Sequence, residues 1–448
     1  MPDTGTVFPR NFKSEYPVIV RGEGVYLYDE QGNRYLDSCA GAAVANIGHG
    51  NAEVAEVLGR QASQIAYLHS SRFTSQPALD LATKVAKWTP GDLKYTYFVS
   101  GGSEAVETAL KMARQYFVER DGRTSKYKII SRWVSFHGNT LGALSVTGKP
   151  GLRKIYDPML IPFPHTHSVH CARCESGMKR ESCSLECAQA LETTIKREGS
   201  ENIAAFIAEP VVGSAAPGAC PREEYYRVVR EICDRYDILF IADEVMNGFG
   251  RTGRNFGIDH FAVVPDLMTI AKGISSGYTP LGGVVASERV AEVFKKGSGR
   301  FSHGFTYVGN PLSCAVGCKV LEIMERDHLV DNSRLMGELL LKRLREELAS
   351  HPLIGDIRGL GLQLGVDFVK DKKTGEPYPA AAGIGGLIGK AGLKNGINFY
   401  PGGGNYDGVL GDNILLTPPL IITVKQVEET VTKLKKTATD VYEQVASV

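Results

Sequence analysis

From about Thr74 onward the chain alternates short apolar runs with longer amphipathic stretches. Residues 95–99, 128–131, 204–208 and 239–242 are apolar runs bounded by glycine, proline or polar clusters, and they read as buried strands. Residues 104–119 and 223–236 carry apolar positions at helical spacing. Short buried strands alternating with helices predict an α/β fold around a mostly parallel central sheet. Upstream, residues 25–37 set two aromatic-rich runs around Gln31-Gly32-Asn33, the pattern of a β-hairpin. After about Glu325 the texture changes. Residues 335–348 read as a charged amphipathic helix, residues 359–368 as a strand and residues 424–445 as a final helix. The expected organisation is a large domain over 71–325 and a small α+β domain built from both termini, 1–70 and 326–448. No internal repeat or low-complexity tract interrupts it.

Composition adds boundaries to this picture. A chain of 448 residues is long for a single core and predicts two domains. The formal net charge is +1, so no basic excess points to nucleic acid or an anionic membrane. Residues 1–16 hold no apolar leader, and no run approaches the roughly 20 apolar residues of a membrane span. Nine cysteines, an odd number, suit free thiols in a reducing, cytoplasmic setting. Fifty glycines fit a fold with many tight strand-to-helix turns.

Three stretches carry candidate chemistry. In Val99-Ser100-Gly101-Gly102-Ser103-Glu104-Ala105 a strand ends, two glycines turn the chain and a helix begins. Free N–H groups and the dipole at such a start attract a phosphate, although a plain glycine turn reads the same way. Asp243 closes the apolar run 239–242, which places a carboxylate at the carboxyl edge of the predicted sheet. Facing a pyridine nitrogen, it would keep that nitrogen protonated; alone, it would read as a cap. Lys272 ends a further apolar run, 266–271. A lysine there meets a desolvation cost unless it snorkels to water or forms a Schiff base. A phosphate cradle, a carboxylate for a ring nitrogen and an amine for an aldehyde together fit one cofactor, pyridoxal 5′-phosphate.

With these residues in view, the sequence resembles the class III aminotransferases of the pyridoxal-phosphate fold type I superfamily, in look the omega-amine:pyruvate transaminases. The resemblance rests on Asp243-Glu244-Val245-Met246-Asn247-Gly248-Phe249-Gly250-Arg251-Thr252-Gly253 and Ala271-Lys272-Gly273. Phe136-His137-Gly138, Ala208-Glu209-Pro210, His303-Gly304-Phe305-Thr306-Tyr307, Asn310-Pro311 and Pro418-Pro419-Leu420 add to it. It implies that Lys272 holds the cofactor and later shuttles the substrate proton, and that Asp243 pairs with the ring nitrogen. Phe136 would stack on one ring face and Val245 pack on the other. Gly102 and Ser103 would bind the phosphate. Glu209 would lie close to ring and substrate, and His137 would orient the loop beside the ring. Thr306 would reach the phosphate of a neighbouring subunit, in a homodimer or tetramer.

The implied reaction is ping-pong transfer of an amino group from an amine to an α-keto acid such as pyruvate. An aminomutase, a racemase or a decarboxylating relative would share the same cofactor residues. Two departures stand out. Phe136 replaces the tyrosine more common at the stacking position. Residues 399–416 contain no arginine, which several relatives use there to clamp a substrate carboxylate. Tyr400, Tyr406 and Gly402-Gly403-Gly404 suggest instead a mobile aromatic lid loop, and a leaning towards ω-amines.

Other motifs compete for attention. Gly248-Phe249-Gly250-Arg251-Thr252-Gly253 matches a dinucleotide fingerprint, but it neither closes a strand directly nor opens a helix, which argues against a nicotinamide-dependent dehydrogenase. Cys171, Cys174, Cys183 and Cys187 have paired spacing that could hold a structural zinc, or they are free surface thiols. No catalytic metal is expected. His49 is expected to hydrogen-bond near the hairpin.

Overall fold

The computed structural model describes residues 6–14 and 16–446. The leader reading of residues 1–16 and the outer edges of the two terminal segments fall partly outside that range. At the centre is a seven-stranded sheet. Its spatial order is Leu93–Val99, Gly282–Ser287, Leu267–Ala271, Leu239–Asp243, Ile203–Ala208, Lys128–Arg132 and His165–Thr166. Only Gly282–Ser287 runs against its neighbours; from Leu267–Ala271 to His165–Thr166 every pairing is parallel.

The central strands are buried along their whole length, as expected of a parallel sheet covered on both faces. The alternation of a strand splits them between two cores. Phe206, Phe240, Met268 and Ile270 face the larger core, whereas Ala205, Ile207, Ile241 and Leu267 face the other. The helix Gly102–Asp121 supplies much of that second core through Ala105, Ala109, Met112, Ala113 and Tyr116. It packs across Leu267–Ala271 and Gly282–Ser287.

The N-terminal hairpin forms as predicted, with Tyr26–Asp29 paired antiparallel to Arg34–Asp37. Ile397–Asn398 then joins it in parallel, so a C-terminal strand extends an N-terminal sheet. His49 bonds Asp37 Oδ2 at 3.0 Å at the end of this hairpin. A second four-stranded sheet contains Ile354–Leu360, Gln363–Phe368, Asp412–Leu416 and Tyr400–Gly403.

Three expectations need correction. Residues 359–368 are not one strand but the turn and return of a hairpin. Gly361 sits at φ 53° between Ile354–Leu360 and Gln363–Phe368, a conformation that favours glycine. The predicted helix 335–348 begins earlier, at Leu329. The predicted lid loop over 399–416 is a β-hairpin. Tyr400–Gly403 pairs with Asp412–Leu416, and Tyr400 packs on Ala43, Met246 and Leu415. Gly402 lies flat on Asn413, where a Cβ would stand 2.5 Å from its Oδ1, so these glycines serve close strand contact. Among the described residues no helix is long and apolar enough to cross a membrane.

Candidate active site

The carboxyl ends of the sheet strands converge on one cavity of about 420 Å³. Gly101 and Gly102 follow the strand Leu93–Val99, Glu209 follows Ile203–Ala208, Asp243 ends Leu239–Asp243 and Lys272 follows Leu267–Ala271. This is where open α/β sheets bind ligands, because each strand hands its chain to a loop at that edge. Phe136, His137, Val245 and Ser103 complete the wall among the residues expected there.

Lys272 stands just past its strand with φ 49°, a left-handed backbone uncommon for a residue with a side chain. Its Nζ has no hydrogen bond or ion pair among the described residues. Burial lowers its pKa from 10.5 to about 8, against the opposing charges of Asp243 and Glu209. A lysine held this way spends a substantial fraction of its time as a neutral, nucleophilic amine near neutral pH.

Asp243 is almost wholly buried and densely bonded. Its Oδ2 lies 2.6 Å from His137 Nδ1, and its Oδ1 accepts from Thr269 Oγ1 at 3.0 Å and Val245 N at 3.1 Å. The short contact has the length of a charge-assisted bond and orients one oxygen. His137 is thus more than a loop-orienting neighbour of the stacking ring: it fixes the carboxylate. Its backbone N–H donates to Thr147 Oγ1 at 2.9 Å, and its Nε2 is buried without a partner. Thr269 faces Asp243 in strand register. It is the lone hydroxyl in Leu267–Ala271, a sequence signal that could have singled it out.

Glu209 is buried across the cavity wall. Its Oε1 accepts from Phe136 N at 3.0 Å and its Oε2 from Gly213 N at 2.7 Å. Burial raises its pKa, with the charge of His137 opposing. Its own carbonyl is held by Arg132 Nη2 and Tyr226 Oη, both at 2.6 Å.

At the glycine turn, the helix Gly102–Asp121 leaves the N–H groups of its first turn without intrahelical acceptors. Ser100 N donates to Glu104 Oε2 at 2.8 Å, and Ser103 Oγ accepts from Asn139 N at 3.1 Å, which leaves its hydroxyl proton free. A Cβ on Gly102 would stand 2.8 Å from Val245 Cγ1. Glycine is therefore needed for Val245 to approach this turn.

These features fit pyridoxal phosphate: an unpaired amine, a buried carboxylate with fixed orientation, and a helix start for the phosphate. Thr306 alone among the expected site residues is elsewhere, exposed in a turn and off the cavity wall. Ser214 and Met246 line the cavity but were not singled out from sequence.

The competing motifs sort themselves. The turn 248–253 opens no α-helix; Arg251 is buried there and bonds Leu362 O, Pro418 O and Asn46 Oδ1, tying the large sheet to both terminal segments. All nine cysteines are free. Among the described residues, the one histidine, cysteine and acid group with ligand atoms within 4.8 Å of one another is His170, Asp356 and Asp367. It includes no cysteine, and Arg358 already bridges its two carboxylates. A wider depression of about 1310 Å³ runs past Arg173, Arg180 and Arg358 and includes none of Lys272, Asp243 or Glu209.

Comparison with known proteins places this geometry. The class-III aminotransferase family matches residues 7–438. An aminotransferase of Schizosaccharomyces pombe is 41% identical over 429 residues, covering 94% of this chain and 92% of the relative. The putrescine–pyruvate aminotransferase of Pseudomonas aeruginosa is 36% identical over 425 residues, covering 94% and 90%. The crystal structure of an omega transaminase from Pseudomonas jessenii in complex with PMP superposes with a TM-score of 0.91 at 33% identity, covering 99% and 97%.

Proposed function

Because this chain belongs to the class III aminotransferases, and is therefore a pyridoxal-phosphate enzyme of fold type I, we propose that it carries the amino group of a primary ω-amine to pyruvate, with Lys272 and Asp243 as its catalytic residues. The observation that carries the residue assignment is the unpaired Nζ of Lys272, facing the charges of Asp243 and Glu209 at the carboxyl edge of the sheet. When bound, the cofactor supplies an aldehyde that exchanges with amines and a cationic ring that draws electrons from the bond being broken. Lys272 would hold the cofactor through its Nζ, and the same Nζ, once free, would take the proton from the donor carbon. Asp243, aimed by His137, Thr269 and Val245 N, would pair with the ring nitrogen. Gly102 and Ser103 hold the phosphate, while Phe136 and Val245 enclose the ring.

The ω-amine preference is supported by the cavity wall, whose only lysine or arginine is Lys272, and by the arginine-free hairpin at 399–416. It is also in keeping with the diamine named for the Pseudomonas relative. A homodimer, in which Thr306 completes the partner's phosphate site, is supported by the exposure of Thr306 and of its neighbour Tyr307, 59% exposed beside Tyr67. The division at residues 70 and 325 is supported by the pairing of Ile397–Asn398 with the N-terminal sheet. A cytoplasmic location is supported by nine unpaired cysteines.

The test is an absorption titration of the purified holoenzyme. The band of the cofactor joined to Lys272, near the blue edge of the visible, should fall with 1-phenylethylamine and return with pyruvate. A strict requirement for donors that carry an α-carboxylate, such as ornithine, with no turnover of simple amines would overturn the ω-amine reading. No band after cofactor is supplied would overturn the role of Lys272.

A further inference from the structure

A keto acid carries a carboxylate, yet the cavity that must admit it holds two carboxylates of its own, Asp243 and Glu209. Its one lysine or arginine is Lys272, which the transaminase reading commits to the cofactor. The hairpin at 399–416 offers no arginine. An anionic acceptor entering this cavity needs a cation from elsewhere.

Lys149 lies directly behind the wall. Its Nζ donates a single hydrogen bond, 3.3 Å to the backbone oxygen of Ser214. Among the described residues no carboxylate comes within 4.0 Å of it. Ser214 is itself a wall residue, and the chain next to it is pressed onto the acidic part of the wall. Gly213 N donates to Glu209 Oε2, and a Cβ on Gly213 would stand 2.8 Å from Met246 Sδ and 2.9 Å from Glu209 Oε2. A lysine ammonium has three donors, so two of those on Lys149 are left for a ligand. Burial lowers its proton affinity, and the charge of Glu209 works against that.

Two buried cations nearby are already tied to several oxygens. Arg132 bonds Tyr226 Oη and Glu209 O, and Arg251 bonds three oxygens. Lys149 differs from them in holding one long bond to a neutral acceptor on a flexible four-carbon stem. Exchanging that carbonyl for a carboxylate replaces a neutral acceptor by a charged one and forms the stronger bond.

We propose that Lys149 recognises the carboxylate of the keto-acid acceptor, a specificity role supplied from a loop other than the arginine-free 399–416 segment. With a plain amine as donor, Nζ rests on Ser214 O. With a keto acid, it turns into the cavity. The assignment rests on the transaminase reading, and the experiment separates the two.

Lys149→Met and Lys149→Arg holoenzymes are compared with wild type in three measurements: the half-reaction with 1-phenylethylamine, and the KM for pyruvate and for the uncharged acceptor butanal. Lys149→Met should raise the pyruvate KM about tenfold or more, the loss of one charged hydrogen bond. The amine half-reaction and the butanal KM should stay within about twofold, and Lys149→Arg should recover most of the pyruvate affinity. An unchanged pyruvate KM in Lys149→Met overturns the assignment, as does an equal loss for pyruvate and butanal, which marks a merely structural lysine. Arg10, whose charge reaches Tyr400, is the rival cation. A rise in pyruvate KM with Arg10→Ala but not with Lys149→Met overturns the assignment in its favour. A wild-type band that ignores every amine overturns the transaminase reading, and this one with it.

Discussion

Asp243→Asn asks whether the buried carboxylate acts as a charge or only as a hydrogen-bond acceptor. The substitution keeps the shape. Its remaining oxygen can still accept from Thr269 Oγ1 and Val245 N, now at 3.0 and 3.1 Å. What changes is the 2.6 Å contact with His137 Nδ1, where an amide would present a donor to a donor. His137 must move its proton to Nε2, which is buried and has no partner. Replacing a charged hydrogen bond by a neutral one loses about 1 kcal/mol and stranding the Nε2–H about 1–3 kcal/mol more, so the apoprotein melting temperature should fall by about 2–4 °C. The charge matters far more to the reaction. An opposite charge at hydrogen-bond range shifts a pKa by about 1–3 units, or about 1.4–4 kcal/mol, and losing it should slow the amine half-reaction about 10- to 1000-fold. Single-turnover decay of the cofactor band with saturating amine gives this rate directly, and cofactor content is measured on the same sample. A variant that carries full cofactor and reacts within about threefold of wild type would refute the charge argument.

The other predictions address the remaining supports. Loading of apoprotein with cofactor should quicken as pH rises, with its half-maximum near 8, because a lowered lysine pKa favours the neutral amine above that value. At pH 7 about a tenth of Lys272 would be neutral, against roughly one part in three thousand for an ordinary lysine; a half-maximum near pH 10 would contradict the burial argument. Gly102→Ala puts a Cβ 2.8 Å from Val245 Cγ1. The overpacking, about 1–3 kcal/mol, should weaken the cofactor Kd about 5- to 100-fold in equilibrium dialysis, and an unchanged Kd would remove the close-approach explanation for this glycine. Arg251→Met strands Leu362 O, Pro418 O and Asn46 Oδ1 inside the protein. It should cost about 3 kcal/mol or more, read as a lower urea midpoint at unchanged slope.

What the sequence made legible was the set of residues whose meaning is local. Asp243 ends and Lys272 directly follows a short, mostly apolar strand, so a charge in that place could be read as a ligand-edge residue from a few neighbours. The turn at Gly101 and Gly102 announced itself by a strand on one side and helical spacing on the other. Residues whose meaning comes from distant partners were hidden. His137 meets Asp243 across 106 positions of chain, and nothing near Phe136 marks it as the group that aims a carboxylate. The hairpin at 399–416 failed to read as strand because glycines and a proline occupy positions where β-formers are expected. They are tolerated there because Asp412–Leu416 supplies the pairing and Asn413 needs the room.

Lys149 marks the same boundary from the side of function. Between Gly148 and Pro150 it reads as part of a turn, and its importance depends on Ser214, 65 positions away, which carries its oxygen into the cavity wall. Cofactor attachment demands one amine at one strand end, so its residue is fixed by the fold. Recognition of a carboxylate demands only that some cation reach the cavity, and any loop at the sheet edge can supply it. The missing arginine at 399–416 therefore argues for a moved charge rather than for an absent one, since an anionic acceptor meets buried acids on the wall and gains from a cation that reaches it.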